Sequence, residues 1–321
     1  MHHLRDHGFD VTFSDRDLTG LSARVARSAR YRTAGLELVE TKRDVRHLSR
    51  RDTDVTLCYD ERTGVPTALL SRSTRDAPVV TGVGWLTTRA AAPPLQRRIA
   101  QRALPRAAAV WTQCSAMVPT LASEWSIGEV SYVPLGIDTE FFAEQPWELA
   151  GPTVASAGED RFRDHDLLVA AVRSVRPQVP SVQLELATGL PVTLEPELGM
   201  LYTERMDGRM RGLYARSSVV AVALRPTPTG SGLTVVLEAM ASGRPVVVTD
   251  NPGVSDYVEH GVTGLLVPPD DPAAFAGALR ALLLDQDRCR EMGRLAAERA
   301  RERFTSAQMS AELAAILTTV S

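Results

Sequence analysis

The fold of this chain is decided by the stretch from Ser218 to Pro269, SVVAVALRPTPTGSGLTVVLEAMASGRPVVVTDNPGVSDYVEHGVTGLLVPP. Its apolar run from Val219 to Leu224 predicts a strand, and the Pro- and Gly-rich loop that follows predicts a turn into a helix beginning at about Leu233. A second strand is predicted from Pro245 to Thr249. Strand, loop, helix and strand in this order indicate a βαβ unit in a parallel sheet.

A glycine-rich loop that opens directly into a helix leaves several backbone N–H groups unpaired and directed at one point. With the helix dipole behind them, these amides predict an anion site suited to a diphosphate. Glu238 follows Thr234 by about one turn on the same helix face, among apolar neighbours. A carboxylate in so apolar a helix is rarely buried without a partner, and ribose hydroxyls beside a diphosphate would be one. The pattern therefore indicates a nucleotide-sugar site, or a site built very like one.

Two other interpretations of these residues stay open. Any βαβ unit needs a glycine turn, in which case Glu238 simply extends to solvent. Alternatively, Gly230-Ser231-Gly232 followed by Asp250 at the end of the next strand has the spacing of a dinucleotide-binding unit. Val235, however, occupies the position of the third glycine of that fingerprint.

Longer runs of the chain resemble a known family. The segments TGSGLTVVLEAMASGRPVVVTDNPG and DYVEHGVTGLLVPPDDPAAFAGALRALLLD are similar to the donor-binding domain of family 4 glycosyltransferases, which are retaining enzymes of the GT-B architecture. The resemblance extends to VSYVPLGIDTEFF (Val130 to Phe142) and to SAGEDRFRDHDLLVAAV (Ser156 to Val172). It covers roughly residues 130 to 305.

The resemblance implies an α/β chain with two Rossmann-like domains facing each other across a cleft. We expect an acceptor domain over residues 1–137, a donor-nucleotide-binding domain over 138–303, and a C-terminal helix over 304–321 that returns to the first domain. At the start, HHLRDHG predicts the end of a helix capped by Gly8, and FDVTFSD predicts the second strand of its domain. The acceptor domain is therefore expected to be abbreviated, or the natural chain to begin about 20 to 30 residues upstream.

The family's donor-binding residues carry over incompletely. Of its paired glutamates the second corresponds to Glu238, whereas the first, which holds hydroxyls of the donor sugar, falls on Gly230. Of the two basic residues that bind the diphosphate, the first position holds Glu159 and the second best matches Arg163, with Arg161 as a further candidate. Arginine suits this role because its planar fork fits phosphate oxygens. The donor site implied by the resemblance consists of Gly158, Arg161, Arg163, Gly230, Ser231, Gly232, Leu233, Thr234 and Glu238.

The predicted catalytic residues are Asp60, Arg163 and Glu238. Asp60 ends the predicted strand from Asp54 to Tyr59 and is the candidate to orient or deprotonate the acceptor; a turn-forming aspartate before Glu61 is the alternative interpretation. We expect no cofactor and no metal, because helix amides and an arginine can stabilise the departing diphosphate.

A basic stretch over residues 88–111 bears on the partners of this protein. It predicts a helix that rests on an anionic membrane surface or attracts an anionic acceptor, or else a solvated arginine face over a core stripe. The arginines of this helix include Arg97, Arg98, Arg102 and Arg106. Aromatic residues make up only 5%, without basic–aromatic interleaving, so nucleic acid is not an expected partner. Three isolated cysteines and the lack of an apolar leader predict a cytoplasmic location, peripheral at the inner membrane face if the basic helix binds lipid.

We therefore predict a retaining glycosyltransferase that moves a sugar from a nucleoside diphosphate to an acceptor hydroxyl. The acceptor, whether carbohydrate, lipid or small molecule, is not indicated by these residues. The competing hypothesis is a non-catalytic protein of the same fold that binds a nucleotide sugar or a partner chain.

Overall fold

The structure, a computed structural model, describes residues 2–13, 20–42, 53–71 and 77–321 of the chain. The chain divides into two compact units, the first made of Met1–Pro134 with Met309–Ser321 and the second of Leu135–Gln308. Each unit is built around its own parallel sheet, so the α/β class and the two sheets expected from the sequence are confirmed.

The first unit contains a four-stranded sheet. Its strands lie in the order β1-β2-β3-β4, all parallel, with bounds Thr56–Cys58, Val79–Gly82, Ala109–Thr112 and Val130–Tyr132. The α-helices described for this part of the chain are Gly20–Arg32, Glu61–Leu70, Pro94–Ala103 and Met117–Trp125. Short 3-10 helices span His2–His7 and Leu104–Arg106. Its core clusters around Val65, Val110, Leu121 and Trp125.

The start of the chain matches the sequence prediction only in part. The helical turn from His2 to His7 ends at Gly8, whose φ of +85° is the left-handed cap conformation expected of it. The predicted strand over Asp10 to Ser14 is wrong for residues 10–13, which form no strand, and Ser14 lies outside the described residues. Phe9, Val11 and Phe13 do alternate along this segment, but a strand also needs a ladder partner, which the alternation alone does not supply.

The second unit contains a six-stranded parallel sheet in the order β10-β9-β8-β5-β6-β7. In chain order its strands are β5 Thr153–Ala157, β6 Gln183–Ala187, β7 Gly199–Tyr202, β8 Val219–Val222, β9 Val246–Thr249 and β10 Gly264–Val267. The α-helices are His165–Val175, Met210–Ala215, Leu233–Ala241, Pro272–Leu284 and Gln286–Arg303, and Ser306–Val320 continues from this unit into the first. Two 3-10 helices span Asp207–Arg209 and Val254–Asp256.

The sequence explains where these elements form. Every residue of β8 and β9 is buried, as the unbroken apolar runs predicted, because helices cover both faces of a parallel sheet. Asp271 caps the helix beginning at Pro272 by accepting from the Ala274 amide at 2.8 Å, and Pro272 occupies the first helical position. The strand and helix positions read from the quoted stretch are therefore confirmed.

The strand order contains the feature that positions a ligand site. From β5 the chain crosses to β6 on one side, whereas from β8 it crosses to β9 on the other side. Right-handed crossovers then place helix His165–Val175 and helix Leu233–Ala241 on opposite faces of the sheet. The carboxyl ends of β5 and β8, which are paired neighbours, form a topological switch point, where open α/β sheets bind ligands.

Candidate functional site

The two loops that leave the switch point are bonded to each other. The loop after β5 runs from Gly158 to Asp164, and the loop after β8 runs from Ala223 to Gly232. The Asp164 amide donates to the Ala223 carbonyl at 3.0 Å, and the Arg225 amide donates to the Phe162 carbonyl at 2.8 Å. Backbone pairing therefore places these two loops side by side above the sheet.

Arg163 is buried at the junction of the two loops, with only 7% of its surface exposed. Its Nε lies 3.0 Å from Oδ2 of Asp160 as an ion pair, but neither Nε nor Nη1 has a hydrogen-bond partner in the part of the chain that the structure describes. Burial lowers the pKa of Arg163, and the Asp160 charge acts in the opposite direction. A buried guanidinium with an unused donor is costly unless a ligand completes its hydrogen bonding.

The glycines at the two turns make room for this guanidinium. A Cβ at Gly158 would lie 2.0 Å from Arg163 Nε, and a Cβ at Gly232 would lie 3.2 Å from Nη1 and 2.8 Å from Cγ1 of Val222. Both glycines have positive φ, +141° and +83°. The structure thus brings together three of the predicted donor-site residues, Gly158, Arg163 and Gly232.

Helix Leu233–Ala241 begins at Gly232, and no side chain caps its N-terminus in the described structure. The Leu233 amide reaches only the Gly230 carbonyl, at 3.4 Å, and Thr234 is exposed beside it. An uncapped helix N-terminus presents amide donors and the positive end of the helix dipole. Arg163 Nη1 lies against the same turn, so this arrangement places a guanidinium and the positive end of a helix dipole side by side, which is chemistry suited to an anion.

Asp160 ties the two loops together through its side chain. Its Oδ1 accepts from the hydroxyl of Ser231 at 2.8 Å and from the Phe162 amide at 3.0 Å, while Oδ2 pairs with Arg163. Ser231, a predicted donor-site residue, is therefore held through Asp160. Sequence reasoning missed Asp160, although its position between Glu159 and Arg161 in the candidate phosphate loop was the available signal.

His165 was also missed, because from the sequence the histidines were considered only as metal ligands. Its Nε2 lies 3.1 Å from the Gly158 carbonyl, which also accepts from the Thr188 hydroxyl at 2.8 Å. Burial lowers the pKa of His165, which favours the neutral ring. Together these two side chains fix the orientation of the Gly158 peptide beside Arg163.

Glu238 lies one turn into the helix and is half-buried. The Tyr214 hydroxyl donates to its Oε2 at 2.6 Å. Burial raises the pKa of Glu238, and the Tyr214 hydrogen bond partly offsets this rise. The protein partner of this carboxylate is therefore a tyrosine from helix Met210–Ala215, which the sequence did not indicate, and its contact with a ribose stays a prediction.

A polar network stiffens the loop around Gly230. The hydroxyls of Thr227 and Thr229 lie 2.8 Å apart, and Asn251 accepts from the Thr227 amide at 3.2 Å and donates to the Arg225 carbonyl at 3.1 Å. The threonines and Asn251 are buried. Gly230, which stands where the family has its first glutamate, is therefore part of a loop whose backbone is held from inside.

The remaining predicted residues are less enclosed. Arg161 is exposed, with its guanidinium carbon 4.8 Å from the centre of the Phe162 ring, and Glu159 is exposed as well. In the first unit Asp60 caps helix Glu61–Leu70, since Oδ1 accepts from the amides of Arg62 at 3.0 Å and Thr63 at 3.4 Å. The helix-capping role matches the alternative interpretation of Asp60, and its catalytic role stays a prediction.

Glu61 is a buried group that sequence reasoning did not single out. It is 2% exposed and accepts from the amides of Gly84 at 2.9 Å and Trp85 at 2.8 Å. Burial raises its pKa, against the effect of these two amides. The contacts explain why this carboxylate is tolerated inside: it holds the loop after β2 to the start of helix Glu61–Leu70.

Part of the basic stretch has structural partners. Arg106 donates to the carbonyls of Leu69 and Ser71 at the end of helix Glu61–Leu70, and Arg97 donates to the Arg89 carbonyl. Of the helices in the described ranges, none is both long and apolar enough to span a bilayer. Among the same residues, no cluster of His, Cys, Asp and Glu side chains is arranged to hold a metal ion.

Comparison with known proteins adds to this geometry. Residues 151–285 match the family model described as "Glycosyl transferases group 1". D-inositol 3-phosphate glycosyltransferase of Nocardia farcinica is 35% identical over 154 residues, covering 46% of this chain and 33% of that protein. A GDP-mannose-dependent alpha-(1-6)-phosphatidylinositol monomannoside mannosyltransferase of Mycobacterium tuberculosis is 30% identical over 189 residues, covering 51% and 49%. The chain thus spans between a third and a half of the length of these relatives.

Solved structures with the same fold cover more of the chain at lower identity. Sucrose-phosphate synthase from Thermosynechococcus elongatus has a TM-score of 0.72 at 18% identity, covering 88% of this chain and 78% of that one. A glycosyltransferase from Rickettsia africae has a TM-score of 0.67 at 14% identity, covering 88% and 81%. The chain therefore has the two-sheet GT-B fold of such structures, and its second unit carries a domain that matches the group 1 glycosyl transferases.

Proposed function

We propose that this protein is a retaining glycosyltransferase that moves a sugar from a nucleoside diphosphate to an acceptor hydroxyl. The observation that carries the proposal is the unpartnered Nη1 of Arg163, buried against the uncapped N-terminus of helix Leu233–Ala241. It lies at the switch point of the sheet, where this class of fold binds ligands.

A diphosphate fits this site better than a neutral ligand. The guanidinium, the helix amides and the helix dipole all favour negative charge, and a charge-assisted hydrogen bond is about twice as strong as a neutral one. Asp160 pairs with Arg163 on the Nε side, whereas Nη1 lies beside the Gly232 turn. The phosphate would therefore bind between Arg163 and the first helical turn.

Glu238 supports a nucleotide as the carrier of that diphosphate. It lies on the same helix as the anion site, about one turn beyond its first amides, and a carboxylate accepts hydrogen bonds from a pair of ribose hydroxyls. The nucleotide base is to be identified by measuring nucleotide binding. The name of the mycobacterial relative specifies GDP-mannose for that relative.

The reaction breaks the bond between the anomeric carbon and the diphosphate oxygen. Arg163 and the helix amides would stabilise the charge that develops on the departing phosphate, and stabilisation of this kind is usually a large catalytic contribution. In our proposal these groups replace a metal ion. The acceptor hydroxyl attacks from the face that the nucleotide leaves, which retains the configuration, and its proton passes to the departing phosphate.

The acceptor class is proposed only broadly, as a hydroxyl-bearing carbohydrate, lipid or small molecule. The names of the two relatives contain an inositol phosphate and a phosphatidylinositol mannoside, so these two acceptor types should be assayed first. A location at the cytoplasmic face of a membrane is proposed together with a lipid acceptor.

The test is a two-stage assay of the unmodified protein. Binding of UDP, GDP and dTDP is titrated first, and the corresponding sugar nucleotides are then assayed for transfer and hydrolysis with EDTA present and absent. We expect turnover in both conditions and, by NMR, a product with the anomeric configuration of the donor. Nucleotide binding without any turnover over the acceptor panel would leave the non-catalytic alternative, and absence of all nucleotide binding would refute the proposal.

A further inference from the structure

Tyr214 is a buried tyrosine that the sequence did not place in the site. It lies near the end of helix Met210–Ala215, just before β8, and its side chain is fully buried. Its hydroxyl donates to Oε2 of Glu238 across 24 positions of sequence. The contact is a short hydrogen bond between a fully buried phenol and the carboxylate assigned above to the ribose.

The backbone of Tyr214 is fixed independently of this hydrogen bond. Arg244 donates from Nε to the Tyr214 carbonyl at 2.8 Å and from Nη2 to the Ala215 carbonyl at 2.7 Å. The ring packs near Phe142, with the ring centres 6.1 Å apart. Because both the main chain and the ring are held, the hydroxyl has a defined position and can fix the position of Glu238 in turn.

The Tyr214 hydroxyl affects the ionisation of the Glu238 carboxyl group. Burial raises the pKa of Glu238, and donation from Tyr214 opposes the rise. The pKa of Tyr214 lies well above its ordinary value, so it remains a donor, and the charge of Arg163 also reaches its hydroxyl. Of the titratable groups on the packed elements, Tyr214 is the one that acts on Glu238 directly.

The second carboxylate oxygen remains for a ligand. Within the part of the chain that the structure describes, the Tyr214 hydroxyl is the one protein donor to Glu238, and it takes Oε2. Oε1 is therefore unused by the protein on a side chain that is half-buried at the edge of the anion site.

We propose that Tyr214 is a positioning residue of the nucleotide site: by holding Oε2, it keeps Glu238 ionised and turns Oε1 towards the ribose hydroxyls of a nucleoside diphosphate. The proposal rests on the proposed function, since it assumes that the ligand is a nucleotide. It does not depend on the identity of the base, the sugar or the acceptor.

The test compares ligands that differ only in the ribose hydroxyls. UDP and GDP are titrated into the wild-type protein, and the tighter of the two is paired with its 2′,3′-dideoxy counterpart. The ratio of the two affinities measures recognition of the hydroxyls, because both ligands carry the same base and diphosphate. In Tyr214→Phe this ratio should fall about tenfold, and the affinity for the dideoxy ligand should stay within about twofold.

Tyr202→Phe is the matched control. Tyr202 also donates its hydroxyl to a glutamate, Glu185, at 3.0 Å in the same unit. It belongs to β7 at the far edge of the sheet, separated from β5 by β6. Its substitution should leave the affinity ratio unchanged, so a general effect of losing a tyrosine hydroxyl is separated from an effect on Glu238.

The pH dependence of the preference for the hydroxylated ligand distinguishes an effect of Tyr214 on the ionisation of Glu238 from a role of Tyr214 in packing alone. An ionised Glu238 accepts from the ribose hydroxyls, so the preference for the hydroxylated ligand is present above the pKa of Glu238 and is lost as the pH falls through it. Tyr214→Phe removes the donor that lowers this pKa, so the variant should lose the preference at a higher pH than the wild type. In Glu238→Gln the preference should be weak and independent of pH, and adding Tyr214→Phe should change it no further.

The outcomes separate the two proposals. If neither nucleotide binds the wild type, the proposed function fails. If nucleotides bind but the wild type and Tyr214→Phe lose the preference at the same pH, the role of Tyr214 is refuted. Equal weakening of both ligands in Tyr214→Phe would also refute it, since that result indicates a structural role. Melting curves of each variant ensure that binding is measured on folded protein.

Discussion

Two buried arginines in the second unit, Arg244 and Arg163, are used in opposite ways. Arg244 is fully buried and donates three hydrogen bonds to backbone carbonyls, those of Tyr214, Ala215 and Pro146, although its Nη1, like that of Arg163, has no hydrogen-bond partner among the described residues. Its guanidinium carbon lies 4.7 Å from the centre of the Trp147 ring. Arg163 is almost as buried, but its protein partner is one carboxylate, that of Asp160.

The difference shows how burial alone fails to identify a binding residue. Burial lowers the pKa of both arginines, that of Arg244 to about 10. Hydrogen bonds from Arg244 to the carbonyls at the end of helix Met210–Ala215 offset its desolvation, because a helix C-terminus favours a positive charge. Arg163 lies beside the opposite kind of helix end, an N-terminus, where a positive charge is unfavourable unless an anion binds between them. Arg244 therefore stabilises the fold, whereas Arg163 is the arginine that we propose binds a phosphate.

The largest expected effect is on folding, from Arg244→Ala. The substitution removes three charge-assisted hydrogen bonds, leaves carbonyls unpaired and opens a void, so the free energy of unfolding should fall by about 3 to 5 kcal/mol. Urea denaturation measures this. Arg216→Ala is the control, because Arg216 follows the same helix but pairs with Glu185 near the surface, and it should cost less than about 1 kcal/mol. Similar losses in the two variants would mean that the buried hydrogen bonds of Arg244 contribute nothing special.

The next effect is on binding, from Arg163→Ala. Nucleoside diphosphate affinity should fall by about 1.5 to 3 kcal/mol, because a charge-assisted contact to phosphate is lost, whereas nucleoside affinity should hardly change. Isothermal titration with both ligands measures the contrast. Arg161→Ala, an exposed arginine of the same loop, should have a smaller effect. If Arg163→Ala weakens both ligands alike, the arginine supports the loop and does not bind phosphate.

The smallest expected effect is from Gly230→Glu, which restores the carboxylate that the family places there. Affinity for the preferred sugar nucleotide should change by about 1 kcal/mol, because the new carboxylate meets a sugar that has no matching hydroxyl or needs the space. Affinity for the bare nucleoside diphosphate should stay within about twofold, since Arg163 and the helix amides are unchanged. Titration of both ligands gives the comparison, and an equal shift in the two would place Gly230 outside the sugar subsite.

Much of the second unit could be predicted because its signals are local. The apolar runs of β8 and β9, the helix beginning at Leu233 and the cap at Asp271 each depend on residues within one or two turns. The first unit was harder to predict, since residues 9–13 have the alternation of a strand without being one. A strand forms there only if it pairs with a strand from elsewhere in the chain, and the local sequence pattern does not show whether such a partner exists.

The residues of the candidate site also divide into those that the sequence identified and those that it did not. Gly232 and Glu238 were identifiable from local sequence, because a glycine turn into a helix and a carboxylate on an apolar helix are unusual. Gly158 and Arg163 were identified through the resemblance to the family. Asp160, Tyr214 and His165 were not, because an aspartate, a tyrosine and a histidine are ordinary residues until their contacts are known. The hydrogen bond of Asp160 to Ser231 spans 71 positions, and that of Tyr214 to Glu238 spans 24.

The sequence by itself determined the α/β class, the order of strand, loop and helix around the anion site, and the chemistry of the residues at its turns. Only the tertiary structure decided which of these residues meet, which buried arginine donates to backbone carbonyls, and which carboxylate oxygen of Glu238 accepts from Tyr214. The physical reason is that periodicity and turn chemistry act over a few residues. The partner of a buried charge, in contrast, is chosen when distant strands pair and their loops converge at one edge of the sheet.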